Sequence, residues 1–194
     1  GTDETIRNLN DKLEVMQKNT KALEAVKPAD LKPSEIQIEL GATWIPTEDI
    51  EKFLFDTLET ASYLRDSIHV HYSKATGVWN VEGKSADTGN AKASVKYGTD
   101  DVNAYKLVEQ ALNLREIKVY KTIYVDNQER RVIDKKATML AQQKQEMLRL
   151  EFGNWIWKDT ERRTRLTNYY NRHFNNIRPR EYDGSHLIFP GMNL

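Results

Sequence analysis

The strongest constraint on the fold is a change of hydrophobic period along the chain. In SIHVHYSKATGVWNVEG, residues 67–83, apolar and polar residues alternate, and a turn at Gly77 precedes a returning apolar segment. This pattern predicts a β-hairpin. LREIKVYKTIYVDNQERRVI, residues 114–133, predicts a second hairpin that turns at Asp126–Asn127. The chain therefore combines antiparallel strands with the helices predicted elsewhere.

Helical spacing of apolar residues dominates the other long segments. IPTEDIEKFLFDTLET predicts a helix capped by Thr47, and TDDVNAYKLVEQALN predicts one capped by Thr99. From Asp134 onward two long helices follow, the second capped by Asp159 or Thr160. Short alternating segments, SEIQIEL and ASVKYG, predict further strands.

An amphipathic helix is predicted at the N-terminus, where apolar residues are spaced by three and four. These residues are Ile6, Leu9, Leu13, Met16 and Leu23, with Thr20 interrupting the series. We expect this helix to pack on its own domain, and pairing with another helix is the alternative.

These elements predict an α+β fold, with a mainly antiparallel sheet covered by helices and followed by a helical C-terminal part. We divide the chain into an amphipathic helix at 1–27, an α+β domain at 28–134, a helical pair packed on it at 135–176, and a linker at 177–194.

Composition excludes several classes of protein. The chain has no cysteine, so disulfides, zinc ribbons and thiol nucleophiles are excluded. No apolar run approaches the roughly 18 residues of a membrane helix, and we expect no membrane partner and a cytoplasmic location. The common phosphate-loop, dinucleotide-binding and hydrolase motifs are absent from the sequence, and we expect no cofactor.

Basic charge is concentrated near the C-terminus. Residues 158–180 hold 7 Lys/Arg and 2 Asp/Glu, although the whole chain has 29 of each kind. Arginines interleave there with aromatic residues, a mixture that single-strand binders use for phosphate contact and base stacking. The candidate nucleic-acid contacts are Arg162, Arg163, Arg165, Tyr169, Arg172, Arg178 and Arg180. In the alternative interpretation, the aromatic residues form a core face and the arginines its solvated rim.

No catalytic or metal-binding residue is predicted. His69 and His71 lie on one strand face, but two imidazoles alone do not form a metal site. Glu48–Asp49 and Asp100–Asp101 follow predicted caps, where the helix dipole accounts for them. The segment RPREYDGSHLIF is interpreted as a docking linker, and its candidate docking residues are Tyr182, His186, Ile188 and Phe189.

Several longer motifs carry a family resemblance. SEIQIELGATWIPTEDIEKFL, KKATMLAQQKQEM and WIWKDTERRTRLTNYYNRHFNNIRPREYDGSHLIFPGMN resemble the segment immediately before the ATPase core in large Swi/Snf-like superfamily-two helicases. These helicases, often fused to DNA methylases, come from phages, plasmids and conjugative elements. The resemblance covers roughly residues 27–194. It implies that these residues are part of a longer ATP-dependent helicase, often fused to an adenine DNA methylase, whose motor follows FPGMN.

The family's ATP-binding and methyl-transfer residues fall outside this sequence, so the resemblance implies a non-catalytic accessory domain. We expect it to position DNA or to couple modules, with DNA and the parent's helicase core as partners. The alternative is a structural or self-association spacer without DNA contact, and the oligomeric state stays open.

Overall fold

The computed structural model describes residues 2–26 and 28–175. Its helices are α1 (Thr2–Val26), α2 (Thr47–Leu58), α3 (Ala104–Leu112), α4 (Lys135–Ile156) and α5 (Thr160–His173). Its strands are β1 (Val70–Ser73), β2 (Val78–Val81), β3 (Tyr120–Val125) and β4 (Gln128–Ile133). Short 3-10 helices at Pro33–Glu35 and Ser62–Ser67 and a π-helical turn at Lys92–Lys96 connect them. The predicted α+β class with a helical C-terminal part is confirmed.

The described chain forms two compact units. Residues 33–167 make up the larger unit, and the described parts of 1–32 and 168–194 make up the smaller one. The predicted linker at 177–194 lies outside the described residues.

The core of the larger unit lies around α4, which packs against α2 and α3. Phe53 of α2 meets Phe152 of α4 edge to face, with ring centroids 5.0 Å apart. Leu148 and Ile156 are fully buried on the same face of α4, because they lie at spacings of four from Phe152. The first hairpin completes this layer, since α2 contacts β1 and α3 contacts β2.

The antiparallel strands form two separate two-stranded sheets rather than the one predicted sheet. Val70 pairs with Val81 in the first hairpin, and Tyr120 pairs with Ile133 in the second. Asp126 and Asn127 have φ of 51° and 61°, which is the geometry of a tight primed turn. The turn is therefore where the sequence predicts it.

The smaller unit joins the chain that follows α1 to the end of α5. The buried Asn171 amide donates to the carbonyl of Leu31 and accepts from its N–H, at 2.9 and 2.8 Å. Asn175 donates to the carbonyl of Ala29 at 2.8 Å. Residues 5–24 of α1 are exposed throughout. The expected packing of this helix on its own domain is absent from the described residues.

Residues 36–40, predicted as a strand, follow a 3-10 helix and are irregular. The alternation is real, because Ile36 and Leu40 are buried while Gln37 and Glu39 are exposed. Burial on one side does not make a strand unless a neighbouring strand supplies hydrogen bonds. Among the described residues, none pairs with this segment.

The second predicted strand, residues 93–98, is also wrong. Ala93 and Tyr97 are buried four residues apart, and the segment folds as the π-helical turn Lys92–Lys96. The N–H of Tyr97 donates to the carbonyl of Lys92 at 2.9 Å, closing the wide turn. Five residues are too few to separate the two periods by apolar spacing.

Both predicted threonine caps are shifted. Thr47 is the first residue of α2, and no side chain caps this helix at Pro46. Asn103 caps α3 by accepting from the N–H of Lys106 at 3.0 Å. Thr99 instead accepts from the N–H of Val102 at 3.1 Å, which is a local turn. Asp100 and Asp101 therefore precede the helix and do not lie in its first turn.

Within the described ranges, none of the helices has both the length and the apolar character needed to cross a membrane.

Candidate nucleic-acid interface

Arg162, the first predicted nucleic-acid contact, is a buried structural residue. Its Nε donates to the carbonyl of Ile156 at 3.0 Å and its Nη2 to that of Trp155 at 2.6 Å. The guanidinium carbon lies 3.5 Å from the centroid of the Trp155 ring. Arg162 thus adds a charged donor to two carbonyls at the end of α4, and that of Trp155 also accepts from the N–H of Lys158 at 3.2 Å. Burial lowers the pKa of Arg162. The negative charges of Asp159 and Asp49 raise it, but the effect of burial is larger.

Arg163 and Arg165 are positioned differently from Arg162. Arg165 donates to the buried carboxylate of Asp49 at 2.6 Å and so ties α5 to the start of α2. Arg163 is half-buried and makes one long hydrogen bond, 3.5 Å, to the carbonyl of Trp157. Arg162 and Arg165 are therefore fixed by short hydrogen bonds within the fold, whereas Arg163 is the least constrained of the three.

Tyr169 and Arg172 belong to the smaller unit and are both exposed. The Tyr169 ring lies beside that of His173, with the ring planes tilted by 30° and the centroids 4.3 Å apart. Phe174 lies 6.3 Å from Tyr169. These two predicted contacts therefore lie at a surface with aromatic and basic character.

The remaining predicted residues lie outside the described part of the chain. They are Arg178 and Arg180 among the nucleic-acid candidates, and Tyr182, His186, Ile188 and Phe189 among the docking candidates.

A cleft of about 590 Å³ in the larger unit gathers lysines from three separate elements. Lys52 comes from α2, Lys92 and Lys96 from the π-helical turn, and Lys158 from the turn between α4 and α5. Arg162 and the edge of Trp155 also line it. We call this site the lysine cleft.

Three acidic residues also line the lysine cleft, and two of them are engaged by neighbouring groups. Asp56 accepts from the indole N–H of Trp155 at 3.1 Å. Asp159 caps α5 by accepting from the N–H of Arg162 at 2.7 Å, and this hydrogen bond lowers the pKa of Asp159. Glu151 is the third.

The cations of the lysine cleft differ in how strongly they are paired. Lys92 forms an ion pair with Glu59. The Lys96 ammonium lies over the ring of buried Tyr97, 4.8 Å from its centroid. Lys52 and Lys158 are exposed and form no ion pair with any residue that the structure describes. Lys52, Lys96 and Lys158 are therefore the cations most available to an anionic ligand.

Chemically, the lysine cleft suits phosphate groups better than bases. Lysine ammonium groups act as compact point charges without the fixed geometry that reads a base edge. Five cationic side chains and three carboxylates line the cleft, and a concave surface with an excess of one sign of charge concentrates the opposite charge. Sequence reasoning missed this cleft, since its lysines are isolated residues from distant parts of the chain. The one local signal was the spacing of Lys92 and Lys96, and the strand predicted at residues 93–98 included Lys96 but not Lys92.

The two histidines of the first hairpin each lie near one carboxylate. Nδ1 of His69 is 3.6 Å from Glu51, and Nε2 of His71 is 3.4 Å from Glu82. Over residues 2–26 and 28–175, no group of three or more histidine, aspartate or glutamate side chains is arranged to hold a metal ion.

Comparison with known proteins identifies a family but no characterised relative. Neither the curated proteins nor the solved structures contain a match to this chain. The family described as "Domain of unknown function (DUF8437)" matches residues 39–176. This range includes the lysine cleft and covers more than half of the sequence. The chain therefore belongs to the DUF8437 family.

Proposed function

We propose that this chain is a non-catalytic accessory domain of a mobile-element DNA helicase or helicase/methylase, and that it guides DNA by holding the phosphate backbone in the lysine cleft. The observation that carries the proposal is the convergence of Lys52, Lys92, Lys96 and Lys158 on one concave surface. The sequence resemblance supplies the helicase context, with the parent's motor as the neighbouring module and the cytoplasm as the location.

The expected binding is independent of DNA sequence. Phosphate contacts by lysine release condensed counterions, so the affinity falls steeply with salt. The cleft offers an indole edge at Trp155, whose ring face is covered by the Arg162 guanidinium. Base stacking therefore contributes little here, and the charge of the lysines supplies most of the affinity.

The test is a triple charge reversal, Lys52→Glu, Lys96→Glu and Lys158→Glu, measured by fluorescence anisotropy on labelled DNA. We expect the affinity at low salt to fall at least roughly tenfold, and the slope of log K against log salt to decrease by about 2–3, near one per lysine. Lys52, Lys96 and Lys158 are exposed, and a thermal melt of the variant checks that loss of the Lys96 contact with the Tyr97 ring leaves the fold intact.

A matched control reverses three exposed lysines outside the cleft, Lys74→Glu, Lys118→Glu and Lys135→Glu. It changes the net charge of the chain by the same amount. Equal losses of affinity in both variants would contradict the cleft and leave only a general charge effect. Unchanged binding in the cleft variant would also contradict DNA binding by the lysine cleft. Tyr169 and Arg172 would then be the next residues to test.

Arg162 is unsuitable for this test, although the sequence places it first among the contacts. Reversing its charge leaves a carboxylate beside the carbonyls of Trp155 and Ile156. Such a variant loses stability for reasons unrelated to DNA. Arg163 is the better residue on α5, because it makes only one long hydrogen bond.

A further inference from the structure

The N-terminal helix α1 carries a continuous apolar stripe that the described residues leave uncovered. We call the stripe the α1 seam, and it consists of Ile6, Leu9, Leu13, Met16, Thr20 and Leu23. Its five apolar members are between 52% and 68% exposed. Helices in proteins gain most of their stability by packing an amphipathic face, so an uncovered seam along a helix of 25 residues calls for a partner.

The spacing of the α1 seam is the heptad repeat of a coiled coil. Spacings of three and four alternate without a break from Ile6 to Leu23, which places Ile6, Leu13 and Thr20 at one core position and the other three at the second core position. Ile6 at the first position and Leu9 at the second form the combination that favours two parallel strands, and Leu13 and Met16 fill the next two layers. We propose that α1 pairs with α1 of a second copy of this chain as a parallel, in-register coiled coil.

Thr20 fits this pairing because its hydroxyl is already satisfied. Its Oγ1 donates to the carbonyl of Met16, one turn earlier in the same helix, at 2.8 Å. The seam therefore buries no unpaired hydroxyl when the two helices meet. A parallel pair gathers both copies of Thr20 in one layer and keeps every other layer apolar. An antiparallel pair places each Thr20 against Leu9 and spreads the polar groups over two layers.

Charges beside the seam allow a second copy to approach. In the parallel register, Lys12 of one copy faces Gln17 of the other, and Asn19 faces Glu24. Neither pair brings like charges together. The helix as a whole carries four basic and five acidic residues, so its polar face lacks the positive charge with which surface helices bind anionic membranes. The lack of like-charge contacts permits a second copy to pair, and the lack of excess positive charge argues against a lipid surface.

The first test measures the oligomeric state of the 194-residue chain by sedimentation equilibrium. Three heptads lie at the lower limit for a coiled coil, and small interfaces associate weakly, so the series should span roughly 5 to 500 µM. We expect a monomer–dimer equilibrium. A strict monomer over the whole range would overturn the proposal.

Two variants of equal exposure then separate the seam from general surface effects. Leu13→Asp lies in the seam and Val15→Asp lies outside it, and the two residues are 55% and 56% exposed. We expect Leu13→Asp to weaken dimerisation at least tenfold and Val15→Asp to leave it within a factor of about two. A dimer that is insensitive to Leu13→Asp would overturn the assignment of the interface.

The parallel register has a direct chemical readout because the chain contains no cysteine. Thr20→Cys places two thiols in one layer of the proposed dimer, and mild oxidation should yield a disulfide-linked dimer. Lys18→Cys points away from the seam and should crosslink poorly. A dimer in which Thr20→Cys does not crosslink would overturn the parallel register.

Discussion

At the residue scale, Arg162 shows why a basic, aromatic segment is ambiguous. The sequence interleaves arginines with tryptophans, which is typical of a nucleic-acid surface and equally of an arginine that caps a helix and stacks on an indole. The structure places the Arg162 guanidinium on the Trp155 ring and against two carbonyls. Which of the two roles Arg162 has depends on the turn at 157–159, which places the start of α5 beside the end of α4. The spacing of residues in the sequence does not predict that turn.

Replacing Arg162 should destabilise the fold. We expect Arg162→Ala to lower the free energy of unfolding by about 2–4 kcal/mol, because the buried Ile156 carbonyl and the part-buried Trp155 carbonyl lose a charged donor and the indole loses its cation. Arg163→Ala, next in sequence with one long hydrogen bond, should cost less than about 1 kcal/mol. Urea denaturation of both variants measures the difference, and similar losses would contradict the capping role of Arg162.

The lowered pKa of Glu109 leads us to expect that the stability of the fold depends on pH. Burial raises its pKa, but hydrogen bonds from Lys106, Lys84 and the N–H of Val81 outweigh burial, and the net pKa lies below its ordinary 4.5. A lowered folded-state pKa gives stability that is complete above the unfolded pKa and is lost as the pH falls through the folded pKa. The free energy of unfolding should therefore decrease below pH ~4.5.

A neutral substitution isolates this contribution. Glu109→Gln should cost about 1–2 kcal/mol at neutral pH and should flatten the acid limb of the stability curve. The exposed Glu129→Gln serves as the control. Urea midpoints between pH 3 and pH 7, a range chosen around the pKa of the carboxylate, provide the measurement. An acid limb that is unchanged in Glu109→Gln would exclude this carboxylate as its source.

At the element scale, hydrophobic period predicts burial better than it predicts hydrogen bonding. Both hairpins were correctly predicted, because each has a partner strand within about ten residues and a turn that fixes the register. Residues 36–40 alternate as predicted but have no partner, so they form no strand. The caps of α2 and α3 differ from the prediction because Pro46, which has no capping side chain, stands at the N-cap of α2, and Asn103 rather than Thr99 caps α3.

Alanine substitutions at Gly77 and Gly83 distinguish the cost of backbone strain from the cost of a steric clash. Gly77 and Gly83 share a φ of +68°, but an added Cβ meets nothing within 4 Å at Gly77, whereas at Gly83 it lies 1.9 Å from the Ser67 carbonyl oxygen. Gly77→Ala should cost about 1–2 kcal/mol for the left-handed backbone. Gly83→Ala should cost at least about 2 kcal/mol more, since the first hairpin must move away from the preceding 3-10 helix.

Thermal or urea denaturation of the two alanine variants measures that difference directly. Equal destabilisation would mean that the backbone near Ser67 yields without cost, and that Gly83 serves only its φ angle.

At the scale of the whole molecule, the α1 seam and the lysine cleft differ in how far sequence could predict them. The seam follows from a repeat within one helix, so its pattern is visible in the sequence, although its exposure is not. The cleft depends on bringing Lys52 close to Lys96 and Lys158, and no spacing rule connects residues so far apart. The family match to residues 39–176 includes the cleft and excludes the seam, so the two proposals are tested independently.

In the proposed function, the lysine cleft binds DNA through its phosphates. The most direct measurement is fluorescence anisotropy of the wild-type chain with single-stranded, duplex and forked DNA at roughly 50 and 200 mM salt, where counterion release has a large effect. We predict binding at the lower salt that weakens steeply at the higher salt, with a slope that reports about three to four phosphate contacts. Absence of binding to every DNA form at the lower salt, or binding that does not change with salt, would contradict the claim.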